Sequence, residues 1–158
     1  MSKTPLAFEP HDHSACTGDL LAHAETQCAR VGARLTPVRR RTLEILSESH
    51  RAMGAYDVLA RLSEDGFGGQ PPVAYRALEF LVEHGLAHKV RRLNAFTACV
   101  HPGTTHSPAF FICRECDGVA ESAVPDVSKA LDDAAKAMGF KPERTNLEVL
   151  GLCPVCRQ

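Results

Sequence analysis

Two thiol pairs, Cys113-Arg114-Glu115-Cys116 and Cys153-Pro154-Val155-Cys156, are the residues of this sequence best suited to chemistry. A Cys-x-x-Cys turn brings two sulfurs near enough to grip one metal ion. Two such turns supply the four thiolates of a closed tetrahedral zinc site of the structural type. The gap from Cys116 to Cys153 is longer than in a compact zinc ribbon and has room for a hairpin, a helix and a returning strand. One ion would then staple the end of the chain onto the first strand pair of a small domain. Two other uses of these thiols fit less well. A redox Cys-x-x-Cys needs a helix N-terminus just after it to lower the thiol pKa, and only Arg157 and Gln158 follow Cys156. Two structural disulfides would suit a secreted protein, but residues 1–10 carry one Lys and no sustained apolar run, unlike a secretory signal.

The elements that must position these thiols are bounded by length and composition. A chain of 158 residues suits one domain or two small ones. It has no apolar run long enough to span a membrane. Its seven cysteines are odd in number, several at metal-like spacing, which favours a reducing compartment and a cytoplasmic protein. The formal net charge of −1 by itself predicts no nucleic-acid partner, yet charge is uneven: Arg34, Arg39, Arg40 and Arg41 cluster early, and acids outnumber bases after residue 100. Residues 1–17 are polar, with Pro and His, and read as a flexible tail. His11, His13 and Cys16 could bind a metal there, although scattered histidines of a loose tail are the better reading.

From residue 18 the pattern becomes helical. Asp19 can cap a helix with Leu20, Leu21, Ala24, Cys28 and Val31 on one side, ended by Gly32. Cys28 falls in that apolar stripe, so packing is expected of it rather than ligation. Thr36-Pro37 is a cap followed by proline at the first helical position, with Val38, Leu43, Ile45 and Leu46 buried and Arg39, Arg40 and Arg41 in the first turns. Residues 54–62 make a short third helix with Tyr56 in its first turn. A fourth helix opens at Pro71-Pro72 and closes at Gly85. Val73, Ala77, Phe80, Leu81 and His84 share its inner face, and Tyr75, Arg76 and Glu79 point the other way near its N-terminal end. A recognition helix inserts that end into the major groove, where arginine can pair with guanine. Residues 86–90 and 95–100 read as two strands joined by the basic turn Arg91-Arg92-Leu93-Asn94. Helices followed by a two-stranded hairpin are the layout of a winged helix, whose arginine-bearing turn can meet the sugar–phosphate backbone.

His101-Pro102-Gly103-Thr104-Thr105-His106-Ser107-Pro108 reads as a hinge. Beyond it come strands at residues 109–112 and 118–123, then a helix opened by Pro125 and stopped by Gly139 with Val127, Ala130, Leu131, Ala134 and Met138 on one face. A last strand over residues 147–150 leads into Cys153. This second unit is small and has sheet edges to hide, for which metal binding and dimerisation are the usual remedies.

Taken together, Thr36-Pro37-Val38-Arg39, Pro72-Val73-Ala74-Tyr75-Arg76-Ala77-Leu78, the hinge and the paired Cys-x-x-Cys resemble the ferric uptake regulator family of bacterial metalloregulators, most of all its zinc uptake regulator branch. The resemblance runs from about residue 18 to the end. It implies an α+β chain with an N-terminal winged helix (18–100), a hinge (101–108) and a C-terminal α/β dimerisation domain with the structural zinc site (109–158). It implies a homodimeric repressor of zinc-uptake genes on palindromic, AT-rich double-stranded operators, with no membrane partner and no small-molecule substrate. It also implies a second, regulatory zinc, hence two Zn2+ per chain, on His88, Cys99, His106 and Glu121. Two imidazoles, a thiolate and a carboxylate form a four-coordinate set suited to zinc. Expected DNA contacts are Tyr56, Tyr75, Arg76, Arg39, Arg91 and Arg92.

Two departures stand out. Ala74 replaces the family's usual valine or threonine beside the tyrosine, which predicts a small packing change. The hinge lacks the His-His-Asp-His run of iron-responsive members, and a thiolate in the regulatory set speaks against both iron and peroxide sensing. A zinc enzyme is the reading from another class, with His88, Cys99 and His106 as ligands and Glu121 as general base around an open coordination position. No substrate motif, nucleophile elbow or phosphate loop accompanies it. A zinc-storage protein would have no use for the basic wing.

Overall fold

The computed structural model describes residue 8, residues 12–100, residue 102 and residues 107–158. Helix α1 (Ser14–Arg30) packs on α2 (Pro37–Ser47), which crosses α3 (Ala55–Glu64) and α4 (Pro71–Glu83). Strands β1 (Ala87–Val90) and β2 (Ala95–Ala98) follow as an antiparallel ribbon, with His88 opposite Thr97 and Lys89 opposite Phe96. The second unit holds β3 (Pro108–Cys113), β4 (Val119–Ala123), α5 (Pro125–Ala137) and β5 (Leu147–Gly151). Its sheet has the order β4-β3-β5, antiparallel on one side of β3 and parallel on the other. The architecture is the expected α+β one, a winged helix followed by a smaller α/β unit. Among the described residues no helix is long and apolar enough to cross a membrane.

Local chemistry accounts for most boundaries. Thr36 accepts from the Arg39 amide and Pro37 occupies the first helical position of α2. Gly85, at φ +68, lets the chain leave α4 and enter β1. The main core gathers Leu43, Ile45, Leu46, Val58, Leu62, Leu78, Leu81 and Leu86 between α2, α3, α4 and the base of the wing. A second, smaller cluster joins the two units. Val90 of the wing meets Phe110, Ile112 and Val119 of the sheet, with Ala52 and Leu93 at its edge. A backbone bond reinforces that seam, the Val119 amide donating to the His50 carbonyl at 3.0 Å; within the winged-helix unit Met53 exchanges two 2.8 Å bonds with Phe96.

Several expectations are corrected. Asp19 is not a cap, because α1 begins five residues earlier; residues 14–17, read as tail, are helical. Asp12 bonds the Ser14 amide and hydroxyl at 2.9 Å, and Thr17 meets Ser47 of α2 at 3.0 Å, so tertiary contact carries the helix back past Gly18. Val31 is exposed. On α4 the buried set includes Ala74 and Leu78, and Val73 and His84 lie at its margin. Ala74 is therefore a core residue, where a small side chain sets how closely α4 is packed. The α5 face carrying Val127, Leu131 and Met138 is exposed, with Ala135 its one buried residue, and Phe111, Phe140 and Val149 are also open to solvent.

Candidate metal centres and nucleic-acid interface

The turn after β3 carries Cys113 and Cys116, and the chain leaving β5 returns Cys153 and Cys156 beside it because β5 runs parallel to β3. The four sulfurs lie within 4.8 Å of one another. Cys116 and Cys153 are 4.0 Å apart, close to the roughly 3.8 Å edge of a tetrahedron with zinc–sulfur bonds of about 2.3 Å. The Cys153 amide donates to Cys113 Sγ and the Cys156 amide to Cys153 Sγ, both at 3.4 Å. The backbone amides of Cys153, Cys116 and Glu115, Cys153 first, pull the Cys113 thiol down to about 6, so that a thiolate ligand is available at neutral pH. None of these four cysteines is in a disulfide, so nothing of that kind competes for their sulfurs. Four thiolates at this spacing fit zinc.

A second group forms where the wing meets the sheet. His88 of β1, Cys99 just after β2 and Glu121 of β4 bring ligand atoms within 4.8 Å of one another. His88 Nε2 stands 3.3 Å from Glu121 Oε1, and the Cys99 thiol donates to the same oxygen at 3.7 Å. The other carboxylate oxygen accepts the Val100 amide at 3.0 Å. The Glu121 side chain is only 2 % exposed. A carboxylate taken out of water is costly unless it is paired or ligates a metal. One nitrogen, one sulfur and one oxygen converging on a buried point fit zinc as a borderline acceptor. His106, the fourth residue of the expected set, lies outside the described residues, as does His11 of the tail. His13 packs its ring 4.8 Å from that of His50, and Cys16 sits exposed on α1. Neither belongs to a group of three converging ligand atoms among the described residues. Cys28 is packed in the core, and its burial pushes the thiol up, against the pull of Arg39.

The residues expected at DNA separate into two kinds. Tyr56 opens α3 and Tyr75 stands near the start of α4. Their rings meet edge to face at 6.4 Å, yet they are 68 % and 41 % exposed. Arg76 lies beside them, exposed on the same helix end, and Arg91 and Arg92 are exposed on the wing turn. Arg39 is different. Its guanidinium stacks 3.7 Å over the Phe80 ring and donates to the Arg34 carbonyl at 2.7 Å, so it ties α2 to α4. Arg40 pairs with Glu25 and Glu44, and Arg41 with Asp65, Glu44 and Glu48. The early arginine cluster is thus occupied by acidic partners and packing. One side chain that the sequence did not single out reaches this region: Glu148 of β5 accepts the backbone amides of Arg91 and Arg92 at 2.6 and 3.0 Å. A lone acid in Leu147-Glu148-Val149-Leu150 looks like a solvated strand position, and only the register of β5 beside β3 reveals its reach.

Residues 30–150 match the model of the ferric uptake regulator family. The chain is 40% identical over 141 residues to the zinc uptake regulation protein of Escherichia coli (strain K12), covering 89% of this chain and 82% of that protein. It superposes on a zinc uptake regulator complexed with zinc and DNA with a TM-score of 0.86 at 39% identity, covering 89% of this chain and 95% of that one. Two crystal structures of XcZur complete the comparison. The holo form gives a TM-score of 0.81 at 39% identity, covering 89% of this chain and 98% of that one. The apo form gives 0.51 at 38% identity, covering 90% and 98%. The sequence distance is nearly the same for both, so the difference between the two scores is one of conformation and not of sequence.

Proposed function

The chain belongs to the ferric uptake regulator family, and from that premise we propose that it is a zinc-responsive transcriptional repressor that binds operator DNA when its regulatory zinc site is filled and so controls zinc-uptake genes. It acts as a regulator and not as an enzyme, in the cytoplasm, where a reducing environment keeps thiols available as metal ligands. Two zinc ions per chain are proposed. Cys113, Cys116, Cys153 and Cys156 hold the structural one, and His88, Cys99, His106 and Glu121 the regulatory one. The working division is a winged-helix unit through residue 100, a hinge at 101–108 and a dimerisation unit from 109 on.

One observation carries the regulatory reading: His88, Cys99 and Glu121 converge within 4.8 Å although they come from the wing and from the sheet. When bound, zinc supplies a divalent charge that offsets the buried Glu121 carboxylate and a Cys99 thiolate. The protein's own groups do the rest. Glu121 holds the Val100 amide at the wing's base, and Phe110 packs 5.5 Å from the His88 ring, keeping the imidazole against the sheet. The closer likeness to a holo than to an apo relative supports the view that this arrangement is the metal-bound one, and a relative carrying both zinc and DNA supports the DNA reading.

Dimerisation is supported by the apolar surface of Val127, Leu131, Met138, Phe111 and Val149, which is exposed among the described residues and which a second copy would cover. A two-fold dimer matches a palindromic operator, its two recognition helices entering major-groove faces about 34 Å apart. Tyr56, Tyr75 and Arg76 are the proposed base and groove contacts, and Arg91 and Arg92 the phosphate contacts. Arg39 serves by orienting α4. The test is DNA retention measured against free zinc, with iron and manganese as controls. Retention should rise with zinc alone. An equal response to iron would overturn the zinc assignment, and indifference to every metal would overturn the switch.

A further inference from the structure

Glu121, Phe110 and Glu148 make a single row across the C-terminal sheet. Phe110 is in register with Glu121 on one side and with Glu148 on the other, so all three side chains stand on the same face. That face is the one packed against the wing, and each member touches a different part of it. Glu121 meets His88 and the Val100 amide at the base. Phe110 fills the middle, in the cluster with Val90 and Leu93. Glu148 reaches the tip, where one oxygen accepts the Arg91 amide at 2.6 Å and the other the Arg92 amide at 3.0 Å. A carboxylate bridging two successive amides makes charge-assisted bonds with fixed geometry. The turn it grips is tight: Asn94 has φ +47 and returns its amide to the Arg91 carbonyl at 3.1 Å. Because Glu148 bonds the main chain of the two arginines, their exposed side chains stay available to phosphate.

We infer that Glu148 is a positioning residue, a latch made without any metal ligand, that fixes the turn bearing Arg91 and Arg92 to the same sheet row that holds Glu121. The wing is then fastened at both ends, at its base through the proposed zinc ligands and at its tip through Glu148. The contact stands by itself; its consequence for DNA rests on the proposed function.

The experiment uses the full-length, zinc-loaded protein with Glu148→Ala, Glu148→Asp and Glu148→Gln. Hydrogen exchange at the Arg91 and Arg92 amides should quicken about tenfold or more in Glu148→Ala, the loss of two charge-assisted bonds, with zinc content and dimer mass unchanged. Glu148→Asp, one methylene shorter, should resemble Glu148→Ala, and Glu148→Gln, which keeps one acceptor oxygen, should fall between. The DNA probe is a duplex selected from a randomised pool by the wild-type protein. Glu148→Ala should weaken its retention roughly fivefold, about the worth of one net hydrogen bond, and should cost nothing further once Arg91 and Arg92 are both alanine. Unchanged exchange at the wing tip would overturn the latch, and an additive loss in the double-mutant cycle would overturn its action through the arginines. Should the wild type retain no duplex, the functional reading fails while the exchange measurement still decides the contact.

Discussion

The two ligand groups use similar atoms at similar spacing and differ in where the chain has to be for them to form. All four cysteines of the thiol group belong to the C-terminal unit, and the parallel pairing of β5 with β3 brings them together with no ligand from the winged helix. His88, Cys99 and Glu121 come from both units and meet only when the wing lies on the sheet. A metal in the first group adds to folding free energy, as structural zinc does. A metal in the second adds to the free energy of one arrangement over others, and can shift an equilibrium only by its differential affinity for them. Ligand identity alone does not separate a staple from a switch; the position of the ligands relative to the joint does.

That contrast can be broken by substitution. The largest effect belongs to Cys113→Ser, which should unfold the C-terminal unit and leave monomer or aggregate, since structural zinc supplies on the order of 10 kcal/mol in small domains. Circular dichroism and sedimentation check it, and a stable dimer with normal zinc content would remove the structural role. Cys99→Ser or Glu121→Ala should have no such effect on folding. Each should leave a folded dimer holding about one zinc per chain, against two in the wild type, with zinc-dependent DNA binding gone. Metal analysis beside DNA retention reads both, and a mild chelator should take the second ion from the wild type first. Smaller still is Arg76→Ala, expected to cost about 1–3 kcal/mol of DNA affinity and relax preference at one operator position. Arg40→Ala, which removes a half-exposed ion pair with Glu25, should change stability by about 0.5 kcal/mol and leave the DNA sequence preference alone.

The same contrast explains what could be read in the sequence. The thiol pairs announce themselves because each pair is local, with two residues between its cysteines in a turn, and the helices α2, α3 and α4 show apolar periods with Thr36-Pro37 or a glycine at their ends. The second group has no local signature. Only the family resemblance points to His88, Cys99 and Glu121, because register between distant strands is what assembles them. Glu148 carries no sequence signal for the same reason. The three arginines 39–41 look like one basic patch in sequence, yet helical geometry sends them to three separate places, over Phe80, to Glu25 and to Asp65. The start of α1 was misread because Asp19 has the chemistry of a cap, while the contact of Thr17 with Ser47, which extends the helix, is invisible along the chain. The apolar stripe on α5 is legible as a period, but among the described residues it stays exposed, and no periodicity along the chain says what would cover it.

The central claim is that the zinc joining the wing to the sheet and the DNA held by the wing favour one arrangement. Thermodynamic reciprocity makes that claim measurable from either side: if zinc tightens DNA binding by some factor, DNA must tighten zinc binding by the same factor, a coupling of about 1–3 kcal/mol in typical allosteric proteins. The direct measurement is therefore the zinc affinity of the mixed-ligand site, titrated in the presence and absence of operator DNA with the thiol site already filled. Zinc should bind roughly 5–150-fold more tightly with DNA present. Equal affinities in the two titrations, together with DNA binding indifferent to zinc, would contradict the switch and leave a zinc-stapled DNA-binding protein.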